Sequence, residues 1–189
     1  MRRFERRPVE PELLDRLIAL TAAAPSVGYS QPARFVRVDD PGRRKAIVLE
    51  YERANDEAAA TYSPARARAY TRLKLAGLKE APIHLAVFAD ESTQRGSGLG
   101  RRTMPDALAY SAVTAVHTLW LAARVNGLGL GWVSILEPRT VASILSVPED
   151  WRFIAYLCVG YPVEEHLDRE LVRADWETDD PDAALVLQR

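Results

Sequence analysis

"NGLGLGWVSI", residues 126–135, places glycines at 127, 129 and 131 directly after a long apolar run, "LAYSAVTAVHTLWLAARV". Glycines this close together invite comparison with the Gly-x-Gly-x-x-Gly fingerprint of dinucleotide-binding folds. That fingerprint follows a strand and opens a helix, so that the pyrophosphate meets the helix N-terminus. Here the order is reversed: the run from about Asp106 to Asn126 has helical composition, is buried on most sides, and stops at Gly127 as helices commonly stop. A doubly wound parallel sheet is therefore excluded. The stretch is a glycine-rich hinge that delivers Trp132, Val133 and Ser134 on a short strand, where missing side chains let something flat approach the backbone.

Downstream lie a helix near 138–146 and a strand "FIAYLCVGYP" at 153–162. Upstream, "IHLAVFA" (83–89) is an apolar run of strand length, entered through Pro82 and closed by Asp90, as a central strand would be. "RFVRV" (34–38) alternates apolar and basic residues and is followed by the turn "DDPG". Leu13, Leu14, Leu17, Ile18 and Thr21 recur at helical spacing behind Pro11. Residues 43–62 and 65–80 are rich in helix formers and are separated by Ser63–Pro64. Irregular alternation with no internal repeat gives an α+β domain of three layers, one domain over residues 1–189 with about 163–189 as a C-terminal extension.

The 25 basic and 26 acidic residues nearly cancel, which argues against a general nucleic-acid binder. The single cysteine, Cys158, excludes an internal disulfide and a thiolate zinc site, and is most simply a small buried hydrophobe. "MRRFERRPVEPELL" has no apolar signal core, and residues 117–136 are broken by Arg124, Asn126 and glycines, so neither export nor a membrane span is expected. A cytoplasmic protein is the expectation. His84, His117 and His166 are scattered with no metal-ligand spacing, and His117 on its apolar helix is expected to be a satisfied core histidine.

Three segments are candidates for chemistry. "APSVGYSQPARF" (24–35) concentrates Pro25, Ser26, Gly28, Ser30, Gln31 and Pro32 between a helix and a strand: stiffness, backbone freedom and small polar groups in one loop. Ser134 is a neutral donor or acceptor beside the glycines, or else an ordinary serine bonded to a nearby carbonyl; no Gly-x-Ser-x-Gly elbow surrounds it. "ESTQRGSGLGRRTMP" (91–105) is long enough to form a lid. Its Arg101 and Arg102 either hold a phosphate near a helix start or form a solvated edge.

Taken together, "APSVGYSQPARF", "RLKLAGLKEAPIHLAVFAD", "GLGRRTMPDALAYS", "LWLAARVNGLGLGWVSIL" and "YLCVGYPVEEH" resemble the flavin-destroying branch of the nitroreductase family over about residues 4–176. The resemblance implies a nitroreductase-like three-layer fold with a central, mostly antiparallel sheet flanked by helices. It also implies a domain-swapped homodimer with FMN in clefts at the subunit interface. Members of that branch fragment reduced FMN with dioxygen to 5,6-dimethylbenzimidazole, so the flavin is substrate, and a separate flavin reductase would supply it. By the same resemblance Ser134 is the catalytic residue beside the reactive ring edge. FMN contacts are assigned to Ser26, Gly28 and Gln31 in the loop, Met104 and Leu108 at the helix entrance, and Ser134 and Ile135 after the hinge. Arg2 and Arg173 complete the set. A same-fold alternative is an NAD(P)H-dependent nitroreductase that recycles FMN; another is a flavin-binding protein that has lost synthase activity.

Three positions depart from the family pattern. Members carry Arg-Arg-Asp-Val-Arg just before the position of "RRF", with arginines for the FMN phosphate and an aspartate for chemistry; either the start lies upstream of Met1, which is the expectation, or the catalytic acid has been lost. Ala33 stands where the family has Trp, which exchanges an aromatic wall for a methyl group and leaves a cavity or room for other packing. Trp176 is followed by Glu177, Thr178, Asp179 and Asp180 in place of an arginine, with Arg173 as the substitute. The acidic tail is expected to cross a surface or a partner subunit.

Overall fold

The computed structural model describes residues 1–73, 76–184 and 186–188. In chain order its elements are α1 (Pro11–Leu20), β1 (Ala33–Arg37), α2 (Pro41–Ala60), α3 (Pro64–Arg72), α4 (Gly77–Glu80), β2 (Ile83–Asp90), α5 (Ala107–Val125), β3 (Gly129–Val133), α6 (Pro138–Leu145), β4 (Trp151–Gly160) and α7 (Glu170–Arg173). Helices α1, α2, α3 and α6 each begin with proline, whose absent N–H costs nothing in a first turn. Asp40 Oδ1 caps α2 by accepting from Arg43 N at 2.7 Å.

The sheet is ordered β1-β2-β4-β3 and every neighbouring pair is antiparallel. All eight residues of β2 are buried, which is why its sequence is apolar apart from His84 and the terminal Asp90 where an edge strand would alternate. One face, carrying Leu85, Val87, Leu157 and Val159, packs on Leu14 and Leu17 of α1 and Val116 and Leu119 of α5. The other, carrying Ala86, Phe88, Tyr156 and Cys158, packs on Ile47 of α2 and Val141 and Leu145 of α6. Helix, sheet and helix form the three expected layers.

Two expectations need correction. Helix α5 is not covered on most sides: Tyr110, Val113, Trp120, Leu121 and Val125 are exposed, Val125 by 87%. His117 falls on that open face and is exposed, so it is not a core histidine. The cause is that α5 is apolar around its whole circumference, and the sheet takes only one side of it.

The chain ends also have defined places. Met1–Phe4 lies across the glycines of the hinge: a Cβ on Gly131 would stand 2.4 Å from the Met1 carbonyl oxygen, and one on Gly129 2.8 Å from Met1 Cγ. Phe4 is 2% exposed beneath this strap. The group that approaches the bare backbone is therefore the chain's own N-terminal segment. At the other end, Trp176 meets Tyr62 and Tyr70 with ring centroids 5.7 and 5.9 Å away, and Arg66 lies 3.8 Å over its ring. The tail thus crosses the surface of its own chain.

Candidate functional site

The loop between α1 and β1 is held in an uncommon backbone shape. Gly28, Tyr29 and Gln31 have φ of 56°, 56° and 46°, and for the two residues with side chains this left-handed region costs about 1 kcal/mol or more each. Hydrogen bonds offset that cost. Ser26 Oγ accepts from Gln31 N at 3.2 Å, Val27 N donates to Ser111 Oγ at 3.0 Å, and Thr114 Oγ1 donates to Pro25 O at 2.7 Å. The last two pin the loop to α5. Gln31 is engaged at both ends of its amide, donating to Ala22 O and accepting from Arg95 Nη2, each at 3.0 Å. Ser30 Oγ is buried with no partner among the described residues, and the Ser26 hydroxyl proton likewise has no acceptor among them.

Residues 91–105 are folded down on this loop. Asp90, paired with Arg34 at 2.7 Å, accepts from Ser92 N and Ser92 Oγ, which fixes the segment's start. Arg101 donates to Thr93 O at 2.7 Å and to Arg95 O, and so ties the segment to itself. Arg101 thus fastens its own segment through two of its five N–H donors, a role beside the two readings from sequence. Met104, ahead of α5, is 54% exposed, whereas Leu108 in the first turn of α5 is 5% exposed. Beside the loop a cavity of about 270 Å³ is lined by Ala33, Ser26, Ile18, Phe35, Ser111 and Ala115, as the small side chain at position 33 led one to expect.

A second group gathers where β3 ends. Ser134 lies one residue beyond the strand and not on it; it is exposed and makes no hydrogen bond among the described residues, so it is not a serine spent on a neighbouring carbonyl. Ser134 and Ile135 line a cleft of about 470 Å³ together with Trp132, Met1, Arg2 and Glu170. An adjoining cleft of about 440 Å³ contains Arg2, Arg3, Arg124 and Arg173. Arg2 donates to Leu73 O at 2.9 Å and lies 3.2 Å from Glu170, while Arg173 is 2.7 Å from Asp168. The structure thus brings Ser26, Gly28, Gln31, Met104 and Leu108 to one region, and Ser134, Ile135, Arg2 and Arg173 to another. No one of these cavities is lined from both.

Sequence reasoning passed over a buried polar pair. His84 Nδ1 is 3.0 Å from Tyr156 Oη, with Cys158 opposite His84 in the strand register. Burial, with the nearby Arg44 guanidinium adding to it, pushes the His84 pKa down to about 4. Burial raises the Tyr156 hydroxyl and pushes the Cys158 thiol up to about 12. The signal was a lone histidine in an otherwise apolar central strand.

A fold of this topology, with a strained polar loop on one side and an arginine-lined cleft on the other, defines a class. The chain belongs to the nitroreductase family, whose pattern matches residues 1–161. Among particular proteins, it is 54% identical over 181 residues to the 5,6-dimethylbenzimidazole synthase of Rhodospirillum rubrum, covering 96% of this chain and 86% of that one. It is 42% identical to the enzyme of the same name from Rhodobacter capsulatus, covering 96% and 87%. Among solved structures it is similar to oxidized iodotyrosine deiodinase bound to FMN and 3-iodo-L-tyrosine, with a TM-score of 0.72, 26% identity, and coverage of 89% of this chain and 92% of that one.

Proposed function

We propose that this protein converts reduced FMN, with dioxygen as co-substrate, to 5,6-dimethylbenzimidazole. The observation that carries the reading is 54% identity, over 96% of the chain, to a synthase of that product. The residues present fit FMN. A phosphate ester requires cationic donors, and four arginines line one cleft; a flavin ring requires neutral polar contacts, which the Ser134 hydroxyl and the unspent hydroxyl proton of Ser26 supply.

When bound, the flavin supplies both the electrons for dioxygen and the carbon skeleton of the product. The chain binds, orients and encloses it. Arg2 and Arg173 meet the phosphate and fix the ring's position from its far end, so that binding energy remote from the reacting atoms is used for orientation. Ser134 presents a hydroxyl that can donate or accept one proton at the ring edge. The strained loop holds Ser26 in place without rearrangement when flavin arrives, and the folded-down 91–105 segment keeps water from that side.

The two groups of residues become one site if a second copy brings its loop against the first copy's β3. The exposed apolar face of α5, with Tyr110, Val113, Trp120, Leu121 and Val125, supports such pairing, because monomers seldom leave so long an apolar stripe to water. A homodimer with two composite clefts follows, with a flavin reductase as the source of reduced FMN.

The test is to supply stoichiometric reduced FMN under air and follow both compounds by chromatography. Loss of flavin matched by 5,6-dimethylbenzimidazole supports the reading. Turnover of a nitroaromatic with flavin conserved would establish the nitroreductase alternative, and retained flavin without product a binding protein.

A further inference from the structure

The cleft of Arg2, Arg3, Arg124 and Arg173 is electrically full in the structure. Each arginine faces a carboxylate: Arg2 Nε lies 3.2 Å from Glu170, Arg173 Nη1 2.7 Å from Asp168, Arg124 Nη2 3.0 Å from Glu165 and Arg3 Nη2 3.4 Å from Glu80. Three of the four carboxylates come from one short segment, residues 165–170, which begins just past the family's matched region, residues 1–161. The arginines come from three separate places: the N-terminal strap, the last turn of α5, and α7. Two of them are held independently of the carboxylates, Arg2 by donating to Leu73 O at 2.9 Å and Arg124 by donating to Leu128 O at 3.2 Å.

This is the geometry of an anion site with its own counter-anions in place. Four guanidinium groups around one cleft repel one another unless negative charge lies among them, and here residues 165–170 supply it. The pairs are partly solvated and therefore weak, with Glu170 37% and Asp168 55% exposed. A phosphate monoester offers a dianion with three acceptor oxygens that the guanidinium fork matches better than single carboxylate contacts do.

We propose that residues 165–170 act as an internal anion that occupies the arginine cleft until the FMN phosphate displaces Glu170 from Arg2 and Asp168 from Arg173. The inference rests on the flavin reading above and deepens it. The segment sets which flavin binds: FMN can exchange a phosphate for the carboxylates, whereas riboflavin has nothing to exchange. Neutralising the segment therefore strengthens FMN binding, and deleting an arginine weakens it.

The experiment measures flavin affinity by fluorescence quenching for the wild type, Asp168→Asn, Glu170→Gln, the double variant and Arg173→Gln. The amide variants are isosteric, and thermal melts confirm folding; Glu165→Gln serves as a further neutral variant should either fail. The expected result is FMN Kd tightened about 3- to 10-fold in the double variant, riboflavin Kd unchanged, and FMN weakened in Arg173→Gln. An FMN Kd that is unchanged or weaker in the folded double variant overturns the proposal, as does equal tightening of riboflavin. Inorganic phosphate, followed by ³¹P line broadening, separates the two levels. If neither form binds FMN but the double variant binds phosphate more tightly than wild type, the flavin reading fails and the anion cleft stands. If phosphate binding is also unaffected, both fall.

Discussion

The imidazole of His84, on the central strand β2, is 2% exposed, with Tyr156 Oη 3.0 Å from its Nδ1. A charged ring there would lose its hydration and meet the nearby Arg44 guanidinium, so the folded state keeps it neutral down to a pKa of about 4, against 6.5 unfolded. Between those values the unfolded chain binds a proton that the folded chain does not, and stability falls as pH drops from about 6.5 to about 4. The full effect is on the order of 3 kcal/mol. Urea titrations at pH 7, 5.5 and 4.5 should show a declining midpoint, and a His84→Gln variant should show a flatter dependence over the same range. Ser134 is a contrasting residue, exposed and without a bonding partner among the described residues, so removing its hydroxyl leaves the fold's own bonds intact. Ser134→Ala is expected to keep FMN affinity within about twofold while reducing 5,6-dimethylbenzimidazole formation about 100-fold or more, the range for loss of a positioned proton donor or acceptor. Single-turnover product analysis in air reads this directly, and unchanged synthesis would remove Ser134 from the reaction.

Between elements, the contact that joins the 24–32 loop to the 91–105 segment is backbone against backbone. A Cβ on Gly96 would lie 2.4 Å from the Gly28 carbonyl oxygen, and Gly96 has φ of 74°, so Gly96→Ala is strained in shape and in space. It should cost about 1–3 kcal/mol locally and lift the segment from the loop, seen as faster proteolysis and hydrogen exchange over residues 91–105 with the sheet still protected. The same contact shows where sequence reasoning stops. "IHLAVFA" was legible as a central strand because burial on both faces leaves a run apolar but for His84, and the helix-before-glycine order of residues 108–131 was enough to exclude a dinucleotide fold. Glycines at 129 and 131 announced a close approach but not its partner, because nothing local says that Met1 and Phe4 return from the far end of the chain. His117 was misplaced for a related reason: a helix apolar all round does not reveal which side its own sheet will cover. The loop's mix of stiff, flexible and small polar residues was legible from residue types, yet its separation from Ser134 depends on tertiary packing.

At the scale of the whole molecule, the homodimer proposed above would account for both the open face of α5 and the division of the site. Tyr110, Val113, Trp120, Leu121 and Val125 recur at spacings of three, four and seven along one side of α5, opposite the residues buried against the sheet. In the proposed homodimer, pairing two such faces would remove both stripes from water and bring one copy's loop toward the other's β3. Charge on this stripe should therefore act on assembly and on flavin together while leaving the single-chain core alone, since Val113 and Leu121 are 40% and 56% exposed. The Val113→Glu/Leu121→Glu double variant is expected to sediment as a monomer with a near-native far-ultraviolet circular dichroism spectrum, and to lose FMN binding by at least tenfold although no flavin-contacting residue has been changed. A variant that remains dimeric would show that copies associate through another surface. A monomer that still binds FMN as tightly as wild type would show that one chain holds the whole site, and the two groups of residues would then have to close on the flavin by movement within a single chain.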